Sequence, residues 1–249
     1  MSAPEKSLPL PGEVFTVNGC PAFLIAPPPQ ARAGGPPPWV WYAPTLPGLP
    51  KEEEWMFRQF LAAGIAVAGI DVGESFGSPA GRARYTAFYD ELVTARGFSR
   101  RAALLARSRG GLMLYNWAVE HPAAVACVAG IYPVCDLRSY PGLPLACGAY
   151  GLTAGGLEAQ LAAHNPIDRL APLAAARVPI FHLHGDRDEI VPLAQNSGEL
   201  AARYRALGGP VELKIFPGQG HNYWPGWFHS QELVDFVISH TGRLERPGI

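Results

Sequence analysis

Leu104-Leu105-Ala106-Arg107-Ser108-Arg109-Gly110-Gly111-Leu112 is the stretch on which the reading of this chain turns. An apolar strand-like run, Ala102–Ala106, passes directly into a serine, then small residues, then a helical segment, Gly110–Glu120. A nucleophile set on such a sharp strand-to-helix turn needs small neighbours two positions to either side, because its own backbone is strained and the helix packs close behind it. Ala106 and Gly110 occupy those two positions. The helix N-terminus beyond would supply N–H groups and positive potential where an oxyanion would form. The plainer alternative is a serine that only caps a helix.

Working outward, strands and helices alternate. Glu13–Val17 and Pro21–Ala26 read as an antiparallel edge hairpin. The Pro/Ala/Gly-rich stretch from Pro27 to Pro38 reads as a surface loop. Trp39–Ala43 is a short strand, and Glu52–Ala63 carries Trp55, Phe57, Phe60 and Leu61 at helical spacing. Ile65–Ile70 is a continuous apolar run, the pattern of a strand buried on both faces, and Ala124–Tyr132 and Val178–Leu183 read as further buried strands. Val211–Phe216 is a further strand. Helices are expected at Arg82–Arg96, Glu199–Leu207 and Gln231–His240, with a short one around Leu157–His164. This order predicts an α/β fold: a mostly parallel central sheet with helices on both faces and the N-terminal hairpin at one edge. The irregular stretch between Cys135 and Arg177 is too short for a large lid. Ligands of such sheets bind beyond the carboxyl ends of the strands.

The 249 residues fit one domain spanning 1–249. Hydrophobic residues at 48% against 16% charged exclude intrinsic disorder. A net charge of −1 offers nothing to nucleic acid or to an anionic membrane. No apolar run reaches the roughly 18 residues of a membrane span, and Met1–Pro11 lacks a secretory pattern, so a cytoplasmic location is expected; a signal peptide already removed would leave the same picture. Cys20, Cys127, Cys135 and Cys147 form no CxxC pair and no cluster with histidine, so no metal is expected. Cys127 lies in an apolar run and reads as a buried thiol, whereas Cys135 and Cys147 are left as a conceivable bridge.

Two more signals follow strands. His182-Leu183-His184-Gly185-Asp186-Arg187-Asp188-Glu189-Ile190-Val191-Pro192 comes after one apolar run, and Pro217-Gly218-Gln219-Gly220-His221-Asn222-Tyr223-Trp224 after another. Together with Ser108 these segments make the chain resemble the α/β-hydrolase superfamily. Within it the chain is most similar to compact esterase, dienelactone-hydrolase-like or prolyl-oligopeptidase-like catalytic domains. The nucleophile motif is Ala-x-Ser-x-Gly where the family usually has Gly-x-Ser-x-Gly. The second segment matches His-Gly-x-x-Asp-x-x-Val-Pro, which implies that Asp188 is the triad acid, with Asp186 a rival suited to capping a turn. His221 lies where the family places its base. The order Ser108, Asp188, His221 is the order this fold uses.

The resemblance implies a mechanism without metal or organic cofactor. Ser108 attacks a carbonyl, His221 moves the proton, and water resolves an acyl-enzyme. Activity should then rise with pH as the imidazole loses its proton. One oxyanion donor should be the N–H of Arg109. The other should come from Pro44-Thr45-Leu46-Pro47-Gly48, where prolines have no N–H, leaving Leu46 as the favoured donor with Thr45 as its rival. The Arg109 side chain is read three ways. It binds the oxyanion, as in glucuronoyl-esterase-like members, clamps a substrate carboxylate, or forms a salt bridge at the rim. Arg107 is read as structural. Tyr132 and Trp224, with Tyr223, are candidate pocket aromatics, set against core packing; Trp39, Trp41, Tyr42, Trp227 and Phe228 are weighed the same way. Gly73-Glu74-Ser75-Phe76-Gly77-Ser78 reads as a pocket wall in which Glu74 could meet substrate.

The expected function is that of a serine esterase acting on a small-molecule carboxylic ester, such as an acylated sugar or aryl ester. A peptidase or acyltransferase on the same fold, and a non-catalytic binding protein, are the alternatives. Oligomeric state is not legible.

Overall fold

A computed structural model of the chain describes residues 7–31, 34–46, 48 and 50–241. Eight strands form one sheet: β1 (Glu13–Val17), β2 (Cys20–Ile25), β3 (Trp39–Ala43), β4 (Ala66–Ile70), β5 (Ala102–Arg107), β6 (Val125–Ile131), β7 (Ile180–Gly185) and β8 (Val211–Phe216). Their spatial order is β1-β2-β4-β3-β5-β6-β7-β8. β1 and β2 make the expected antiparallel edge hairpin around Asn18-Gly19, a dipeptide this turn favours, and β2 runs antiparallel to β4. The pairs from β4 through β8 are all parallel. The mostly parallel α/β architecture read from the sequence is therefore the one observed.

The helices are α1 (Glu54–Ala62), α2 (Pro79–Asp90), α3 (Gly110–Ala118), α4 (Leu143–Ala146), α5 (Ala154–Glu158), α6 (Leu161–His164), α7 (Ala171–Ala175), α8 (Ser197–Ala206), α9 (Pro225–Phe228) and α10 (Gln231–Thr241). Alternation along β3 explains the two layers. Trp39 and Trp41 join Leu104, Ala106, Tyr85 and Phe88 of α2, Trp117 of α3 and Tyr204 of α8 on one face. Val40 and Tyr42 join Leu105, Phe57 and Phe60 of α1, and Leu233 and Val237 of α10 on the other. Both faces of the central strands are thus dry, which is why these runs show no polar alternation. Trp39, Trp41 and Trp117 are fully buried core residues rather than pocket walls.

Differences from the sequence reading are local. The helix expected from Arg82 starts at Pro79, because Ser78 caps it by accepting from the Gly81 N–H and Pro79 suits a first-turn position. It runs on through one π-helical turn, Glu91–Ala95. The helix expected around Leu157–His164 is two pieces, α5 and α6. All four cysteines carry free thiols, so Cys135 and Cys147 are not bridged. Residues 132–179, between β6 and β7, hold only helices of three to five residues, with no large lid among the described residues. Among these residues no helix is long and apolar enough to cross a membrane. Pro47, in the loop read for an oxyanion donor, lies outside the described residues.

Candidate active site

β5 ends at Arg107 and α3 begins at Gly110, leaving two residues for the turn. Ser108 adopts φ 50°, the left-handed region that a residue with a Cβ avoids unless its surroundings hold it. Here they do. Its N–H donates to the Ile131 carbonyl at 3.0 Å, and its own carbonyl accepts from Gly111 at 2.9 Å and Val134 at 2.8 Å. Gly110 explains the small position after the serine: a Cβ there would lie 2.1 Å from the Ala43 carbonyl oxygen. The loop after β3 therefore presses directly on the start of α3, beside Ser108.

The candidate acid and base arrive on neighbouring loops at the same edge. Asp188 follows β7 and His221 follows β8, adjacent parallel strands. The two loops are stitched together: Arg187 N–H donates to the Gln219 carbonyl at 2.9 Å. Gly218 N–H donates to Asp186 Oδ1 at 2.7 Å. Asp186 thus fills the turn-bracing role that was its alternative. A Cβ on Gly185 would stand 2.1 Å from the Gln219 carbonyl oxygen, so only glycine lets the loops meet this closely.

The three side chains converge. Ser108 Oγ lies 3.0 Å from His221 Nε2. His221 Nδ1 lies 2.8 Å from Asp188 Oδ2. An ionised carboxylate can only accept, so Nδ1 carries the proton and Nε2 presents its lone pair to the serine hydroxyl. Asp188 Oδ1 accepts from the Ile190 and Val191 N–H groups at 3.1 and 2.8 Å. Burial alone would favour the neutral acid. The His184 ring 3.5 Å away and the hydrogen bonds from His221 and Val191 reverse this and hold Asp188 well below the usual carboxylate range. The carboxylate is fully buried, whereas the His221 side chain keeps 17% exposure.

The remaining candidates divide. Tyr132 is 2% exposed, so it does not line an open pocket. Its ring centroid lies 4.3 Å from that of His221, and its hydroxyl donates to the Asn222 carbonyl; it braces the imidazole from behind. Trp224 packs edge-on against Phe216 and Trp227, so its surface goes mainly to packing. Tyr223 is 68% exposed and lies over the Arg107 guanidinium at 5.2 Å. Glu74 pairs with Arg109 at 3.1 Å, the rim salt bridge weighed for Arg109. The Thr45 hydroxyl donates to the Tyr42 carbonyl at 3.1 Å, turned back into the fold. Leu46 follows it, partly exposed. Among the described residues no three His, Cys, Asp or Glu side chains group as a metal site.

Two arrangements at this edge escaped the sequence reading. Arg107 and Glu53 form a buried ion pair at 2.8 Å. Tyr42 donates to the same Glu53 oxygen at 2.7 Å; burial, then Glu53, pushes that phenol well above its ordinary value and keeps it a donor. On the opposite face, His182, Ser197 and His184 are hydrogen-bonded to one another behind Asp188.

This fold, with Ser108, His221 and Asp188 in hydrogen-bond contact at the carboxyl edge of the sheet, is that of the α/β-hydrolase class. Residues 86–237, more than half of the chain, match the model of the prolyl oligopeptidase family, and the chain belongs to that family. No curated protein sequence matches the chain significantly. Solved structures similar to it share the fold at low identity. A puromycin-hydrolyzing peptidase of Mycobacterium tuberculosis superposes with TM-score 0.72 at 18% identity, over 92% of this chain and 40% of that one. MPT51 of Mycobacterium tuberculosis superposes with TM-score 0.71 at 17% identity, over 93% and 99% of the two chains. Est1E from Butyrivibrio proteoclasticus gives TM-score 0.66 at 16% identity, over 93% and 99%. The chain thus spans well under half the length of the first and nearly all of the other two.

Proposed function

We propose that the protein is a serine esterase that hydrolyses small carboxylic esters through an acyl-enzyme on Ser108. The observation that carries this reading is the pair of contacts linking Ser108 Oγ to His221 Nε2 and His221 Nδ1 to Asp188. In the first half-reaction Ser108 Oγ bonds to the ester carbonyl carbon as its proton passes to His221 Nε2. The tetrahedral oxyanion collapses, the C–O bond to the alcohol breaks, and His221 returns the proton to the departing oxygen. Water then repeats the sequence and releases the acid. Asp188 remains ionised throughout and stabilises the imidazolium.

The oxyanion requires two donors aimed at one point. The Arg109 N–H heads α3, whose dipole favours negative charge there. Leu46 belongs to the loop pressed against Gly110 and is assigned the second donation. The Arg109–Glu74 pair rims the serine, where it would meet the polar part of a substrate. The segments between β6 and β7 are short, with no large lid among the described residues, and this supports compact, water-soluble esters over long acyl chains.

Peptide or amide cleavage is the second reading, favoured by membership of the prolyl oligopeptidase family. Parallel assays with p-nitrophenyl esters and aminoacyl p-nitroanilides decide between them, with fluorophosphonate labelling marking the nucleophile. Ester turnover well above anilide turnover, and labelling lost in Ser108→Ala, is the expected result. Wild-type-like ester turnover by Ser108→Ala would overturn the assignment, and dominant anilide cleavage would replace esterase with peptidase.

A further inference from the structure

We propose that His184 is a positioning residue for the reaction, holding Asp188 and its turn through a buried hydrogen-bond chain that starts at Tyr115 on α3. The inference rests on the triad reading above and extends it to four residues outside the triad.

His182 and His184 alternate along β7 and therefore share one face of the sheet. Both are at most 1% exposed, in a strand whose other residues are apolar. Buried histidines in a dry layer need partners. His184 Nε2 lies 2.8 Å from the Val191 carbonyl and 3.5 Å from Asp188 Oδ2. His184 Nδ1 lies 2.8 Å from Ser197 Oγ. The same hydroxyl lies 3.0 Å from His182 Nδ1. His182 Nε2 lies 2.7 Å from the Tyr115 hydroxyl.

The chemistry of the ends sets the direction of donation. A carbonyl only accepts, so His184 Nε2 carries a proton. With both rings neutral, His184 Nδ1 accepts from Ser197, Ser197 accepts from His182 Nδ1, and His182 Nε2 accepts from Tyr115. Each ring nitrogen is used once and none is left over. Burial draws His182 down to about 3, which keeps it neutral. Burial pushes the Tyr115 phenol well above its ordinary value, which keeps it a donor.

The chain ends on the turn that carries the acid. Val191 gives its N–H to Asp188 Oδ1 and receives His184 Nε2–H on its carbonyl, so His184 pins the residue that pins the carboxylate. The same N–H leans toward Oδ2, the oxygen that receives His221. The titratable groups joined to this set are Tyr115 from α3, His182 from β7 itself, Asp188 from the following loop and, through it, His221. Removing the His184 donor loosens the turn and leaves Asp188 a more basic carboxylate. His221 would then hold its proton more tightly and titrate at higher pH. A misplaced acid should cost about 10- to 100-fold in kcat with little change in KM, because substrate is not touched.

The test compares His184→Phe, His184→Gln and Ser197→Ala with wild type. It uses kcat and KM on a p-nitrophenyl ester, and His221 titration by NMR of 13C-histidine protein, which needs no substrate. Expected are a kcat loss of at least 10-fold and an upward His221 shift in His184→Phe. Near-recovery in His184→Gln, which keeps a donor at the Nε2 position, and a smaller change of the same sign in Ser197→Ala should accompany them. A folded His184→Phe with unchanged kcat and unchanged titration overturns the proposal. So does equal impairment of His184→Phe and His184→Gln, which would mean packing alone. If His184→Phe does not fold, Ser197→Ala decides: wild-type kcat and titration in that variant overturn the proposal. A wild type that turns over no ester, while the titration shifts as expected, would sink the esterase reading and leave the positioning role standing.

Discussion

Replacing Glu53 by glutamine should destabilise the fold by several kcal/mol and slow the enzyme, although Glu53 touches no substrate. The Glu53 side chain is fully buried and that of Arg107 is 7% exposed. Two unit charges about 4 Å apart attract by about 4 kcal/mol at an effective dielectric of about 20. Stripping one partner from a buried pair costs about 3–5 kcal/mol, because the other charge is left uncompensated in a dry site. At about 2–4 °C per kcal/mol for a chain of this size, Tm should fall by about 6–20 °C. Glu53 also accepts the Lys51 N–H at 3.2 Å and so ties down the end of the loop assigned the second oxyanion donor. Arg107 is the residue before Ser108, so kcat of the folded fraction should fall as well. Calorimetry and ester kinetics on Glu53→Gln, Arg107→Met and the double variant measure both. The double variant should be more stable than the sum of the singles predicts, since it leaves no orphan charge. A Tm for Glu53→Gln within about 2 °C of wild type, or strict additivity in the cycle, would refute the reasoning.

Further outcomes are checked by kinetics and denaturation. Ser108→Ala should lose about 10⁴-fold or more in kcat with its far-UV spectrum unchanged; a loss under 10-fold would reject Ser108 as nucleophile. Gly185→Ala must part the Gln219 backbone from β7 and shift His221, so kcat should fall more than 10-fold; a crystal structure with the 218–221 loop in place would contradict this. His182 makes stability fall with acidification. The unfolded chain takes up this proton below about pH 6.5, whereas the folded chain resists until about 3. Across that window stability is lost by at most about 1.4 kcal/mol per pH unit. Between pH 6.5 and 4.5, above the range where protonating Asp188 matters, the urea midpoint should drop less in His182→Gln than in wild type. Parallel curves would count against it.

The central strands were legible because they are dry on both faces. Trp39–Ala43 is an uninterrupted apolar run between Pro38 and Pro44, and Val211–Phe216, an edge strand that carries Glu212 and Lys214, is bounded by Pro210 and Pro217; the observed bounds of both agree. The Ser108 turn was legible because its sterics demand small residues at fixed offsets. The start of α2 had a signal in Ser78-Pro79, a cap followed by a first-turn proline, that apolar periodicity passes over. Which way Tyr132 faces was not legible for a physical reason: a residue after a strand can face the substrate or pack on the histidine, and its 4.3 Å ring contact with His221 depends on the position of the His221 loop. The partners of Arg107 and His182 lay beyond reach. Glu53 is 54 residues from Arg107 and Tyr115 is 67 from His182, separations that only tertiary packing brings together. Even so, two histidines at alternate positions in a buried strand announced that a polar partner must be waiting.

The two buried polar systems lie on opposite faces of the sheet, and this placement follows from what the site must hold still. Arg107 continues the face of Ala103 and Leu105, and with Tyr42 and Glu53 it anchors the loop beside the nucleophile. His182 and His184 continue the other face of β7 and anchor the acid. Ser108 stands at the end of β5 between them, in a conformation its own backbone disfavours. A strained residue proposed as the nucleophile keeps its geometry only if the groups on both sides are stiffer than it is, and an apolar layer, being non-directional, fixes distance better than orientation. Hydrogen bonds in a dry layer supply orientation. Cutting the Glu53 system should therefore disturb oxyanion stabilisation, and cutting the His184 system proton transfer. The two losses should multiply when combined, because the systems share no residue. A combined Glu53→Gln and His184→Phe variant whose loss in kcat/KM falls well short of that product would show that both act through one element, the Ser108 turn itself.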